Sequence, residues 1–215
     1  MSLENKIEYG HVFATPLAVV DNCLADHEQM LSIARDIHDQ YSKTKHFIDN
    51  AARDMPAVTY WDTPDIFGKY SSLNSIASQL QPLVDQYAKR LSGDPQMTAI
   101  RKMSWLCYQD RNSFHPKHNH WASLVDQTVS VHNINAIVYL QTEPNDKLDL
   151  YWPTPIAPLS YANPSFSSSR ASTVRLANNS AVIIPAWVDH GCDAAVRTTT
   201  KICLSVNYSY SKTNY

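Results

Sequence analysis

Glycine is scarce in this chain, and its scarcity excludes two common nucleotide-binding motifs. Only 4 of the 215 residues are glycine. A P-loop needs two glycines and a lysine in one short run, and a Rossmann fingerprint needs three clustered glycines. The glycines here are too far apart for either motif, since they stand at Gly10, Gly68, Gly93 and Gly191. We therefore expect no loop that cradles phosphate groups.

Neither an excess of one charge nor a long apolar run is present. Lys and Arg number 18 against 20 for Asp and Glu, which gives a formal net charge of -2. That balance offers no electrostatic footprint for nucleic acid or for an anionic membrane. No apolar stretch approaches the roughly 18 residues that a membrane span requires. We expect no nucleic-acid partner and no membrane partner; the oligomeric state stays open.

The cysteines lack the spacing of a metal or redox motif. The four are Cys23, Cys107, Cys192 and Cys203, with no CxxC pair and no zinc-knuckle pattern. The first residues also lack the basic and then apolar pattern of a secretory signal. Scattered cysteines without such a signal are typical of reduced, intracellular proteins. We therefore expect a cytoplasmic protein whose thiols are small buried side chains.

The order of the hydrophobic patterns predicts helices first and strands afterwards. A strand interrupted by Pro16 is predicted over 9–20, and helices over 26–41 and 72–91, the second kinked or split at Pro82. Short runs rich in β-branched and aromatic residues then alternate with turns. These runs are 100–109, 134–141, 148–152, 172–176, 180–184 and 200–209. The order favours an α+β fold, or a mainly β barrel or sandwich with supporting helices.

Two histidines stand at the spacing of a metal site. His118 and His120 are two residues apart, and side chains at that spacing on a strand point to the same side. They can therefore bind one ion from one element, although a solvated histidine-rich turn would have the same sequence. His115 and His132 are expected at the surface or in supporting positions. His190, after an apolar strand, is the candidate third ligand, although a lone histidine there is more often structural.

The strand after His190 alternates in polarity. Apolar Ile202, Leu204 and Val206 share one face, and Lys201, Cys203, Ser205 and Asn207 share the other. Two interpretations remain open at this point. The strand is either an ordinary half-exposed strand or part of a polar barrel interior, with one cation facing an anionic cosubstrate.

These motifs, in this order, resemble the 2OG-Fe(II) oxygenases, in particular the branch found in bacteria and phages. That family has a His-x-[Asp or His] pair, a strand ending in Tyr-Leu, a distal histidine and then a basic residue. The similar segments of this chain are 13–17, 105–107, 118–120, 135–140, 184–190 and 201–207. The block over 184–190, Ile-Pro-Ala-Trp-Val-Asp-His, is the most specific of them.

The resemblance implies a fold and a set of site residues. It implies one domain over 1–215, a double-stranded β-helix or cupin-like jelly roll, with a strand and supporting helices in 1–99 and the metal-bearing core in 100–215. It implies Fe(II) held by three histidines and 2-oxoglutarate paired with a cation. The implied ligands are His118, His120 and His190, and the implied cosubstrate contacts are Lys201, Ser205 and Tyr108, with Arg197 as the rival cation.

The activity implied is that of a dioxygenase. It would use O2 and 2-oxoglutarate to hydroxylate an unactivated C–H bond of a small molecule or a peptidyl group, with release of succinate and CO2. The stretches 121–133 and 153–169 are expected to form a lid over the barrel mouth.

His120 stands where well-known members of the superfamily have a carboxylate, and the spacing of Asp126 from His118 does not suit a replacement. Two alternatives remain open. One is a three-histidine, cupin-like dioxygenase without 2-oxoglutarate, in which Lys201 has no role. The other is a non-catalytic jelly-roll binding module, in which the histidines are incidental.

Overall fold

The computed structural model describes residues 15–110, 112–125, 128–151 and 170–212. Four α-helices occur in these ranges: α1 His27–Tyr41, α2 Lys45–Ala51, α3 Ile66–Lys69 and α4 Asn74–Ser92. The strands are β1 Ala18–Asp21, β2 Ala57–Val58, β3 Met97–Gln109, β4 His115–His118, β5 Ala122–Val125, β6 Thr128–Val131, β7 Ile134–Gln141, β8 Lys147–Tyr151, β9 Arg170–Arg175, β10 Ser180–Pro185, β11 His190–Cys192 and β12 Lys201–Lys212.

Two antiparallel sheets form the framework. The larger has the strand order β1-β10-β7-β12-β3-β2 and the smaller the order β4-β11-β8-β9, while β5 and β6 form a separate hairpin. From β3 onwards the chain passes back and forth between the sheets, and this alternation is what winds a jelly roll. The predicted fold class, a double-stranded β-helix with N-terminal helices, is thereby confirmed.

The central strand β12 of the larger sheet is buried on both faces. Ile202, Leu204 and Val206 of β12 pack with the apolar faces of α1 and α4 in one cluster, whereas Cys203 belongs to a second cluster between the sheets. Every residue from 201 to 208 is buried. This excludes the half-exposed strand as an interpretation of β12 and places its polar face inside the barrel.

Several elements differ from the sequence-based expectation. Helix α4 continues unbroken through Pro82. That proline is exposed while Leu80 and Val84 are buried against the sheet, so packing on both sides of the proline holds the helix together. Of the strand predicted over 9–20, residues 18–20 belong to β1, which forms a sheet edge, and residues 9–14 lie outside the described ranges. Within the described ranges, no helix combines the length and apolar character needed to cross a membrane.

The structure describes most of one of the two segments expected to form a lid, and none of the other. Residues 122–131 contain the β5–β6 hairpin, in which Ala122 is paired with Val131. The 153–169 stretch and Asp126 lie outside the described residues, so the lid stays a prediction. Strands β4 and β11, four and three residues long, were not predicted, and they carry the histidines.

Candidate metal centre

The three candidate ligands come from one corner of the smaller sheet. Strand β4 ends at His118 and β11 begins at His190, and these two residues are opposite each other in the antiparallel ladder. His120 follows β4, and its backbone N–H donates to the carbonyl of Ala186 at 2.8 Å. That hydrogen bond draws the end of the His-x-His segment towards the turn before β11.

The side chains of these histidines converge on one point. The Nε2 atoms of His118 and His120 are 3.0 Å apart, and one ligand atom from each of the three histidines lies within 4.8 Å of the others. Two nitrogens that bind one ion at about 2.1 Å and at right angles to each other lie about 3.0 Å apart. Among the described residues, this is the only group of three or more metal-binding side chains with such spacing.

Hydrogen bonds to the far side of each ring select the tautomer. In His118, Nδ1 donates to the carbonyl of Pro116 at 2.8 Å, and in His190 it donates to the carbonyl of Val188 at 3.0 Å. In His120, Nδ1 donates to Oδ1 of Asn207 at 2.8 Å. A carbonyl oxygen only accepts, so the proton is on Nδ1 and the Nε2 lone pair is available. The donor set therefore fits a divalent transition metal such as Fe(II).

Burial keeps the rings neutral. It lowers the pKa of His118. Burial, together with the neighbouring His190 and His118, lowers the pKa of His120 well below its usual value. The pKa of His190 falls to about 3, mainly through burial and also through His118. Neutral imidazole is the form that binds metal, so the site is ready for a ligand at physiological pH.

A cavity of about 370 Å³ opens from the histidines into the barrel. The polar face of β12 forms one wall, so Lys201, Cys203, Ser205 and Asn207 follow one another along it. This is the alternation predicted from the sequence. The three histidines and the candidate cosubstrate residues Lys201 and Ser205 thus share one cavity.

Lys201 is a buried cation within this cavity. It is 3% exposed, and its Nζ lies 5.4 Å from the ring centre of Tyr139. In the part of the chain that the structure describes, no carboxylate forms an ion pair with it. A buried charge without a partner is costly. The amide of Gln109, directly across the ladder from Lys201, also lines the cavity. The end of the cavity lined by Lys201 and Gln109 is therefore suited to an anion.

The structure places Tyr108 and Arg197 away from the cavity, which corrects their predicted roles. Tyr108 is on the opposite face of β3, and its hydroxyl donates to the carbonyl of Ala34 in α1 at 2.9 Å. Arg197 forms a buried ion pair with Asp146, at 2.8 Å from both Nε and Nη2 to Oδ1. Its Nη1 donates to the carbonyl of Ser113 at 3.1 Å, so this guanidinium already has partners.

Sequence reasoning missed residues at the other end of the cavity. The ring centres of Trp105 and His120 are 5.2 Å apart, and those of Tyr60 and Trp105 are 5.4 Å apart in an edge-to-face arrangement. Both aromatic residues line the cavity. His115 also lines it, stacked on His118 with ring centres 4.3 Å apart. The period-two alternation of β3 places Trp105 and Gln109 on one face, so that signal could have found them.

Comparisons of sequence and of structure give different results. No protein-family model matches this chain, and no curated protein matches it in sequence. Solved structures do match. A prolyl hydroxylase from Trichoplax adhaerens, in complex with a hypoxia inducible factor peptide fragment, is 9% identical at a TM-score of 0.60, covering 91% of this chain and 84% of its own.

Two further matches are metal enzymes by their descriptions. The α-ketoglutarate-dependent epimerase SnoN from nogalamycin biosynthesis, in complex with Fe³⁺ and α-ketoglutarate, is 13% identical at a TM-score of 0.64, covering 92% of this chain and 81% of its own. HygX from Streptomyces hygroscopicus, with iron bound, is 10% identical at a TM-score of 0.57, covering 94% and 84%. This chain therefore has the double-stranded β-helix fold of the Fe(II)/2-oxoglutarate oxygenases.

Proposed function

We propose that the protein is an Fe(II)- and 2-oxoglutarate-dependent dioxygenase that hydroxylates an unactivated C–H bond, with release of succinate and CO2. One observation carries the proposal. One ligand nitrogen from each of the three histidines and the buried Lys201, which forms no ion pair with any carboxylate in the described part of the chain, face the same cavity. A metal site alone needs no second cation inside the barrel, whereas a metal site that binds an anionic chelating cosubstrate does.

His118, His120 and His190 would hold the ion. Bound Fe(II) supplies the redox chemistry with O2 that no protein side chain can provide. The chain supplies the orientation: each Nδ1–H is fixed by an oxygen acceptor, which keeps each Nε2 directed at one point. Three neutral ligands leave the charge of the ion uncompensated, which favours an anionic cosubstrate beside it.

Lys201 would bind the far carboxylate of 2-oxoglutarate. An ammonium keeps the charge of the arginine seen in the resembling family but lacks its bidentate fork. Additional donors are therefore needed to orient the carboxylate. The Gln109 amide and the Ser205 hydroxyl line the same wall and would serve that purpose, so binding of the dianion would relieve the cost of burying Lys201.

The primary substrate would enter beside Trp105 and Tyr60, next to His120. The two aromatic rings would give a flat apolar surface on which the substrate is oriented. Both a small molecule and a peptidyl side chain fit this description, and the proposal includes both classes.

The test is anaerobic titration of the metal-free protein with Fe(II) and then with 2-oxoglutarate. Chelation should produce a visible metal-to-ligand charge-transfer band, which fades on admission of O2 while succinate is released. Lys201→Ala should bind Fe(II) but lose the band at the same cosubstrate concentration. The matched control is Lys147→Ala, since Lys147 lies at the surface and pairs with Asp193 at 3.7 Å. It should retain both properties.

His120 in place of a carboxylate favours a second candidate, a three-histidine dioxygenase that acts directly on a chelating substrate. In that case Fe(II) binds, but 2-oxoglutarate produces no band and Lys201→Ala changes nothing. If Fe(II) does not bind at all, both enzyme proposals fail and a non-catalytic jelly-roll module takes their place.

A further inference from the structure

A pair of cysteines stands on the inner face of the larger sheet, beside Lys201. Cys203 of β12 lines the cavity, and it is directly opposite Cys107 of β3 in the antiparallel ladder. Both side chains belong to the apolar cluster between the sheets, so they are neighbours on the same face. Neither thiol has a role in the proposed oxygenase reaction.

The geometry of this pair suits a disulfide. Residues directly opposite each other in antiparallel strands have Cα atoms about 4.5–5.5 Å apart, within the range of about 4.4–6.8 Å that a disulfide spans. In addition, the ladder between β12 and β7 has a register shift between Ile202 and Cys203. Cys203 itself is paired with Tyr139 of β7 just after that shift, so both flanking strands hold it opposite Cys107.

The other two cysteines are engaged elsewhere. The thiol of Cys192 donates to Oε1 of Gln109 at 3.4 Å, and that of Cys23 donates to Oδ1 of Asn179 at 3.7 Å. Cys23 is packed on the helix-covered side of the larger sheet. Of the four free thiols, Cys107 and Cys203 are thus the pair positioned to react with each other.

The surroundings also make the two thiols unequal. A hydrogen bond from Cys107 lowers the pKa of Cys203, and Lys201 and Arg197 lower it further, against the opposing effect of burial. The same hydrogen bond raises the pKa of Cys107 well above its usual value. Reactive cysteines are those with thiolate character and access to solvent, and Cys203 reaches solvent through the cavity.

We propose that Cys203 and Cys107 form a redox modification site, in which hydrogen peroxide that enters the cavity converts the two thiols into a disulfide. The sulfur of Cys203 attacks the peroxide, the O–O bond breaks, Cys203 becomes a sulfenic acid, and water leaves. The sulfur of Cys107 then attacks that of Cys203, the S–S bond forms, and a second water leaves. The peroxide gains two electrons, and the two thiols lose them.

The test uses the full chain with hydrogen peroxide, in the presence of a chelator that suppresses iron-catalysed radical chemistry. Two of the four free thiols should disappear, the intact mass should fall by two hydrogens, and peptide mapping without reductant should link Cys107 to Cys203. A dithiol reductant should restore all four thiols. A link through Cys192, accumulation of sulfinic acid at Cys203, or four unreacted thiols would each overturn the proposal.

Single variants separate the two steps. Cys107→Ser should form no disulfide but should retain a sulfenic acid at Cys203 that a dimedone-type reagent labels. Cys192→Ser and Cys23→Ser should form the disulfide as the original protein does. If Cys107→Ser does not fold, the peptide map of the unmodified sequence still decides. None of these measurements depends on the oxygenase reaction, so failure here leaves the proposed function untouched.

Discussion

Asn207 controls the orientation of His120 across the barrel. Its Oδ1 accepts a hydrogen bond from Nδ1 of His120 at 2.8 Å and another from Nδ2 of Asn135 at 3.0 Å. Nδ2 of Asn135 can only donate, so the Asn207 atom that it contacts must be the accepting oxygen. The same oxygen therefore faces the imidazole of His120. The larger sheet thereby determines which nitrogen of a ligand on the smaller sheet is free for metal.

Replacement of Asn207 by alanine should therefore weaken metal binding without removing a ligand. The affinity for Fe(II) or Co(II) should fall by about 10- to 100-fold, the usual effect of losing such a supporting partner. Competition with a chromophoric chelator measures the change. Asn178→Ala is the control, since Asn178 bonds to Thr142 near the surface. An unchanged metal affinity in a folded Asn207→Ala protein would show that this residue does not position His120.

The four clustered histidines should separate into two functional groups. His190→Ala removes a proposed ligand, so metal affinity should drop by more than it does for Asn207→Ala. His115→Ala removes only the ring stacked on His118, so most of the affinity should remain. The same chelator competition tests both variants. Equal losses in the two proteins would mean that His115 is itself a ligand and that the assignment of the triad needs revision.

Some of the site could be predicted from the sequence because β12 has a polar face inside the barrel. Its period-two alternation identified Lys201 and Ser205 correctly as neighbours on one face. Tyr108 of β3 was assigned to the cosubstrate through the resemblance and not through alternation, and its hydroxyl lies against α1 instead. Neighbouring residues on a strand point to opposite sides, so the alternation of β3 separates Tyr108 from Trp105 and Gln109, which line the cavity.

Arg197 could not be placed from the sequence for a different reason. Its partner Asp146 is 51 residues away along the chain, and nothing local indicates that the two meet. Strands β4 and β11 were missed because they are too short for a periodic pattern. They are held in place by the ladder between His118 and His190, which is a tertiary interaction.

The ion pair between Arg197 and Asp146 should be a determinant of stability. The side chains are 2% and 1% exposed, and removal of one partner from a buried pair costs about 3–5 kcal/mol because the other charge is left uncompensated. Arg197→Ala should lower the free energy of unfolding by that amount, as measured by urea denaturation. If the folded fraction binds 2-oxoglutarate as tightly as the original protein, the structural role is supported. Loss of cosubstrate binding at full stability would instead restore Arg197 as the cosubstrate cation.

The buried histidines should make the metal-free protein sensitive to mild acid. Burial lowers the pKa of His118 and His120 in the folded state, and that of His190 to about 3, whereas an unfolded histidine titrates near 6.5. Between the folded and unfolded values only the unfolded chain takes up the proton, so stability present at pH 7 is lost as the pH falls below about 6.5. Each such histidine contributes up to about 1.4 kcal/mol per pH unit. Urea denaturation between pH 7.5 and 5 in the presence of a chelator measures the slope. His190→Gln should reduce that slope by the share of one histidine, and an unchanged slope would mean that His190 titrates in the folded protein as it does in the unfolded chain.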